Sequence, residues 1–304
     1  MPWRFLSPLI VAFLAAGVLL AGSAAGSLPA RISSTTPAAG IAGAGYAETI
    51  GAKRSHKRKG TLYYAQTFDS SSWRCPLCLV DSSGGTATVA LNNRHLDLTV
   101  NSSTGGPNAG SNDASLSVCG CSPQAWTGAE GHDVWYGIKV FFPSTSKFPT
   151  GNGQDVVEWH TGDKVGAGAT SSFMGVRTDF PVTRSPGRNP RLTFSVRGGY
   201  FDSRGRHITE KVASIRPRSL LLNHWYSIQF HMHWSADPAK AVSDWYVDGV
   251  QQAHITGYAN LFRFANGSTD QTGFGLYNYR SKSSWTDTIS FDDFKAGSSQ
   301  AAVQ

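Results

Sequence analysis

Three short stretches gather side chains that could move protons, grip anions or stack on sugar rings. Gln154-Asp-Val-Val-Glu-Trp-His160 holds two carboxylates and an imidazole within seven residues. In an extended chain alternate side chains face opposite ways, so Gln154, Glu158 and His160 share one face, and Asp155, Val157 and Trp159 the other. The stretch Arg191–Arg197 sends Leu192, Phe194 and Val196 one way and Arg191, Thr193, Ser195 and Arg197 the other. Trp225–Trp234 sends Tyr226, Ile228, Phe230, Met232 and Trp234 to an apolar face and Ser227, Gln229, His231 and His233 to a polar one. Tyr277 and Tyr279 also fall together. An antiparallel sheet needs one wet face, and Thr, Ser, Lys and Glu would supply it. So many Arg, His and Tyr suit a concave face that binds sugar hydroxyls and carboxylates. Trp126, Trp135, Trp159, Trp225, Trp245 and Trp285 offer stacking surfaces, although any single one is better explained as core.

The elements that must position these groups read as strands. Val134–Phe142, Gln154–His160, Arg191–Arg197, Trp225–Trp234, Asp244–Asp248, Gly273–Tyr279 and Thr288–Phe294 are short and alternating, with Gly, Pro, Asn and Ser turns between them. No helical period is sustained. The expected fold is all-β: a jelly-roll sandwich of two antiparallel sheets with a concave groove. Of 304 residues, 40% are hydrophobic and only 15% charged, which argues against a helical bundle or a disordered chain.

Residues 1–27 read as a secretory signal, with Arg4 ahead of the apolar Leu9–Leu20 and small residues at Ala21–Ala25. Residues 28–60 form a low-complexity linker ending in a basic cluster, 61–298 the folded domain and 299–304 a short tail. The net charge of +7 lies mostly outside the domain. Residues 1–59 carry seven basic groups against Glu48, while residues 60–304 carry 20 against 19. A nearly neutral domain without a recognition motif excludes a nucleic-acid partner. Cys75, Cys78, Cys119 and Cys121 form two tight pairs. A four-thiolate zinc site is conceivable, but export favours disulfides, whose connectivity the sequence leaves open.

Gln154–His160 and Gly273-Phe-Gly-Leu-Tyr277 resemble the jelly-roll polysaccharide lyases, of the heparin lyase I and glucuronan lyase type and, more distantly, the alginate lyases. Trp135–Pro143 is similar to their strand leading into a Pro-ended turn. Trp225–Ser235 followed by Asp244-Trp-Tyr-Val-Asp-Gly249 resembles the pair closed by a Trp-x-Asp-Gly hairpin. Asp287–Gly297 resembles their closing strand, and the likeness covers roughly residues 62–297. It implies β-elimination on a uronic-acid polysaccharide, with general acid–base catalysis and neutralisation of the substrate carboxylate. His160 falls on the family histidine and Tyr277 on the family tyrosine, so these carry the catalytic expectation. Arg177, Arg191 and Arg197 become candidates to grip carboxylates bidentately. Gln154, Glu158, Gln229, His231, His233, Tyr279 and Arg280 complete the expected substrate-binding set. Two positions depart from the pattern: Glu158 stands where the family has glutamine, and Gly273 where it has lysine, a charge that Arg280 or Lys282 could replace.

Two other readings compete. A non-catalytic carbohydrate-binding module would use the same groove. A laminarinase-type glycoside hydrolase needs paired carboxylates on one face. Here Gln154 cannot serve as nucleophile, and alternation sends Asp155 away from Glu158. No cofactor is required. Asp69, Asp292 and Asp293 are candidates for a structural calcium ion, with plain surface acids as the competing explanation. The expected protein is a secreted monomer whose partner is an acidic polysaccharide and which leaves the membrane once the signal is removed.

Overall fold

The computed structural model describes residues 60–69, 77–81, 87–92, 94–101, 111–118, 126–149, 153–161, 170–179, 188–281 and 285–304. The chain runs through β1 (Leu62–Gln66), β2 (Leu77–Asp81), β3 (Ala87–Asn92), β4 (His95–Val100), β5 (Ser111–Val118), β6 (Asp133–Phe142), β7 (Gln154–Thr161) and β8 (Thr170–Asp179). It continues through β9 (Arg188–Phe201), β10 (His207–Ser219), β11 (His224–His233), β12 (Val242–Val247), β13 (Val250–Thr256), β14 (Phe262–Arg263), β15 (Thr272–Ser281) and β16 (Asp287–Gly297). It ends in the one-turn helix α1 (Gln300–Val303). All seven strands expected from alternation are present.

Two eight-stranded sheets form a jelly-roll sandwich. The back sheet runs β13-β12-β11-β6-β16-β4-β3, with β1 also paired to β16. The front sheet runs β10-β9-β8-β7-β15-β5-β2, with the short β14 on β9. Pairing among these strands is antiparallel except for β14 with β9.

Alternation explains the core. Tyr226, Ile228, Phe230 and Met232 of β11 face Leu192, Phe194 and Val196 of β9 across the interior, all fully buried. Each such side chain contributes about 1.5–3 kcal/mol by leaving water. Phe274 lies flat between Tyr136 and Phe294, with ring centroids 5.5 and 4.3 Å away, and so links the sheets. The Tyr136 hydroxyl is deeply buried and donates to the Trp126 carbonyl at 2.6 Å. Burial raises its pKa well above the usual phenol value.

The Asp-Gly turn forms as its sequence requires. Asp248 and Gly249 both have positive φ, 51° and 77°, the geometry that lets a two-residue hairpin follow strand twist. Asp248 Oδ1 also accepts the Ser227 amide at 3.0 Å, tying the turn to β11.

Residues 299–304 pack back onto the domain. α1 lies over β6 at Gly137, where an added Cβ would stand 2.4 Å from the Val303 carbonyl oxygen. Gln300 donates to Gln229 at 3.0 Å, and Lys295 donates to the Gln304 carbonyl at 2.8 Å. Beside it, Thr61 and Ser298 exchange two hydrogen bonds of 2.8 and 2.9 Å at the start of β1.

On β2 and β5, Leu77 pairs with Val118, the chain neighbours of Cys78 and Cys119. The bonding of the four cysteines lies outside the described residues, as do residues 1–59, where the signal and nearly all of the linker were expected.

Candidate active site

The outer face of the front sheet collects the acid–base groups. His160 and Glu158 come from β7, and Tyr277 and Tyr279 from β15. The His160 and Tyr277 rings approach to 6.4 Å between centroids, at 28°. Their backbones are well apart, since His160 pairs with Gly273. Gly273 and Gly275 share the outer face of β15 with Tyr277, so β15 itself places no side chain between the two rings.

Glu158 is almost fully buried and approaches His160 at 3.6 Å between Oε2 and Nε2. Thr170 donates to the same carboxylate oxygen at 3.1 Å. His160 keeps 39% of its side chain exposed, so the imidazole is accessible with a carboxylate behind it.

Alternation fails at one point on β7. Asp155 pairs with Gly175 of β8 and Val157 with Met174, leaving Val156 as an extra residue. Against β15 the surplus lies on the other strand, with Tyr277 and Asn278 facing Val156 alone between the pairs Leu276–Val157 and Tyr279–Asp155, but Val156 is what interrupts alternation along β7. This β-bulge reverses the facing of everything before it. Gln154, expected beside Glu158, points into the interior with no exposure. Asp155, expected inside, lies on the outer face and accepts from Arg177 at 2.9 Å. Burial pushes its carboxyl above the usual range, against the charge and hydrogen bond of Arg177.

Phe173 of β8 forms the floor next to Glu158, its pairing partner. Two guanidinium groups lie over it: Arg197 at 4.5 Å and Arg177 at 5.0 Å from the ring centroid. Arg177 is committed to Asp155, whereas the Nε of Arg197 has no hydrogen-bond partner. Burial lowers the Arg197 pKa, countered in part by the charges of Asp155 and Glu158. Arg191 is exposed farther along β9, opposite Arg177. Phe173, Thr170 and Asp155 were missed from sequence. Ser171–Met174 does not alternate in polarity, and nothing in the local pattern announces a bulge.

Four other expected contributors lie elsewhere. Arg280 is fully buried between the sheets and donates to the carbonyls of Val100 and Trp285. Gln229, His231 and His233 do face outward, but on β11 of the back sheet, the opposite surface of the sandwich. Parity assigns a face within a sheet and cannot say which sheet. There His231 stacks on Trp135 at 4.6 Å and 11° and donates to Asp244 at 2.9 Å and Asp133 at 2.8 Å. His254 donates to the other Asp244 oxygen at 2.6 Å, and His233 lies 3.4 Å from Asp133. Burial alone would lower the His231 pKa, but the hydrogen bonds to Asp244 and Asp133 outweigh it and raise it. Asp244 ends below the usual carboxylate range, since hydrogen bonds from His231 and His254 outweigh its own burial.

Of the tryptophans, Trp126, Trp159 and Trp245 are core, and Trp225 is 40% exposed on the back sheet. Asp292 and Asp293 sit together on β16. Burial raises the Asp292 pKa, with the charges of Asp293 and Asp69 adding to it. Each Asp293 oxygen is met by a lysine at 3.3 Å, Lys139 on one and Lys295 on the other. Among the described residues no group of three or more His, Cys, Asp or Glu side chains is arranged to hold a metal ion. No helix among them is long and apolar enough to cross a membrane.

A two-sheet jelly roll of this kind is the fold of polysaccharide-acting enzymes of the lyase superfamily. Residues 122–295, more than half of the chain, match the family model described as "Polysaccharide lyase", and the chain belongs to that family. Among solved structures, the fold is similar to an endo-β-1,4-glucuronan lyase from the fungus Trichoderma reesei, with a TM-score of 0.55. The two are 12% identical over 80% of this chain and 98% of that one. An alginate lyase from Aplysia kurodai gives 0.49 at 12% identity, covering 78% of this chain and 98% of that one. A laminarinase from Flavobacterium gives 0.46 at 9% identity, covering 78% and 100%. No curated protein matches the sequence.

Proposed function

We propose that the chain is a secreted lyase that cleaves a uronic-acid-containing polysaccharide by β-elimination. The observation that carries this reading is the approach of the His160 and Tyr277 rings on the outer face of the front sheet, with His160 accessible and Tyr277 largely covered. Arg197, whose guanidinium lies over Phe173 on the same face of the front sheet, supplies a cation there.

In the reaction, a base takes the proton from C5 of the uronate. The C–H electron pair becomes the C4–C5 double bond, and the bond from C4 to the glycosidic oxygen breaks. That oxygen leaves with a proton from the acid. Tyr277 supplies the acid and His160 the base. The Arg197 guanidinium holds a substrate carboxylate and stabilises the charge that develops beside C5. Glu158 would repel that carboxylate, but it is turned toward His160 and Thr170, with the charge of Arg197 nearby. Arg177 contributes by holding Asp155 rather than by gripping substrate.

The test is incubation with glucuronan, alginate and heparin, following ultraviolet absorbance of the unsaturated product. His160→Ala and Tyr277→Phe should each remove most of the activity, by about 10²-fold or more for an acid or base. Wild-type rates in both would place the chemistry elsewhere. Retention on a polysaccharide column with no product would make the domain a binding module.

One observation favours a second reading. The bulge brings Asp155 and Glu158 onto one face, so the objection to a hydrolase based on opposite facing does not hold. What opposes hydrolysis is the bond of Asp155 to Arg177 and the inward turn of Gln154. New reducing ends without the ultraviolet chromophore would favour hydrolysis.

A further inference from the structure

Beneath Tyr277 the interior of the sandwich is polar where apolar packing would serve. Gln154 of β7, Asn278 of β15 and Asp287 of β16 have 0, 0 and 3% exposure. The Gln154 amide donates to Asn278 Oδ1 at 2.6 Å and to Asp287 Oδ2 at 2.7 Å. The Asn278 amide donates to the Leu98 carbonyl at 2.8 Å and the Asp287 carbonyl at 3.2 Å. Asn278 thus uses both amide hydrogens and its oxygen, and it ties the front sheet to the back.

These bonds sit at the bulge. Gln154 and Asn278 point inward on either side of Val156, so their chain neighbours Asp155 and Tyr277 point outward. A strand that slips by one residue exchanges its two faces. Such a slip of β15 would bury Tyr277 and expose Asn278. Apolar packing tolerates a shift of this kind, whereas the fully paired amide of Asn278 does not, because each lost bond leaves an unsatisfied group.

We propose that Gln154 and Asn278 are positioning residues: their interior hydrogen bonds fix the β7–β15 bulge in the phase that presents Tyr277 toward His160. The inference rests on the reading of Tyr277 as a catalytic group. It requires nothing of the substrate beyond a productive approach to Tyr277.

Gln154→Met keeps the volume and removes both donated bonds. The assay is kcat and KM on whichever of glucuronan, alginate or heparin the wild-type protein cleaves fastest. The expected result is a fall in kcat of about 10–100-fold with KM within about threefold, since a small misplacement of a reacting group acts on the chemical step. Added to Tyr277→Phe, Gln154→Met should cause no further loss, because the group it positions is gone. A folded Gln154→Met protein at wild-type kcat, or one whose loss persists undiminished in the Tyr277→Phe background, overturns the positioning role and leaves the catalytic reading intact. Tyr277→Phe at wild-type rate overturns the catalytic reading itself and the positioning role with it. If Gln154→Met does not fold, Asn278→Ser is judged by the same criteria. Failure of both to fold cooperatively overturns the proposal, since the bonds would then serve stability alone.

Discussion

Replacing His231 with glutamine should remove a pH-dependent part of the stability of the domain. The imidazole joins three strands of the back sheet, through Asp133 of β6 and Asp244 of β12. A charge-assisted hydrogen bond contributes about 1.5–3 kcal/mol when shielded. Asp133 is 57% exposed, so its bond is screened and adds roughly 0.5 kcal/mol. Asp244 is only 9% exposed and keeps most of the value. The expected loss in His231→Gln is therefore about 2 kcal/mol, or about 4–8 °C in Tm for a domain of this size. The direction with pH follows from the two shifts. Folded His231 holds its proton more tightly than the unfolded chain does, so its contribution is complete below 6.5 and fades as pH rises through its raised value. Folded Asp244 holds its proton less tightly, so its contribution is complete above 3.8 and fades as pH falls through its lowered value. Both contributions are complete between those pH values. Thermal unfolding of the two proteins from pH 4 to 9 measures the gap, which should be widest near pH 5–6 and shrink toward pH 9. A gap of constant size, or none at pH 6, would refute the charged imidazole.

Three further outcomes are expected. Arg197→Ala should raise KM for an acidic polysaccharide by about tenfold or more, equivalent to at least ~1.4 kcal/mol, while Arg197→Lys restores charge but not the planar donor pair. Gly137→Ala should destabilise the domain by about 1–3 kcal/mol through the clash with the Val303 carbonyl, seen as a lower urea midpoint. EDTA should leave Tm unchanged, because lysines already meet both oxygens of Asp293, and a fall reversed by calcium would assign an ion to Asp69 and Asp292.

The sequence disclosed strands wherever one face was uniformly apolar. Leu192, Phe194 and Val196 defined β9, and Tyr226 to Trp234 defined β11. β8 stayed hidden because Phe173, apolar on the wet face, breaks its alternation. The motifs led to the expectation that His160 and Tyr277 act together, and their rings do approach to 6.4 Å. The site was illegible at Asp155 and Gln154, because one extra residue at Val156 inverts their facing without changing composition. His231 and His233 show the other limit, since sheet membership depends on pairing between distant strands. Arg280 looked like a groove cation because a buried arginine is costly unless carbonyls such as those of Val100 and Trp285 receive it, and the sequence cannot show them.

The exchange of hydrogen bonds between Thr61 and Ser298 means that the domain is entered and left at a single point. The folded unit is topologically close to a ring. A permuted gene that joined residue 304 to residue 60 through a few glycines and opened the chain at the Asp248–Gly249 hairpin should produce the same sandwich. For the same reason, anything fused to either side emerges beside β1 and β16 of the back sheet, leaving the opposite face clear for a long polymer.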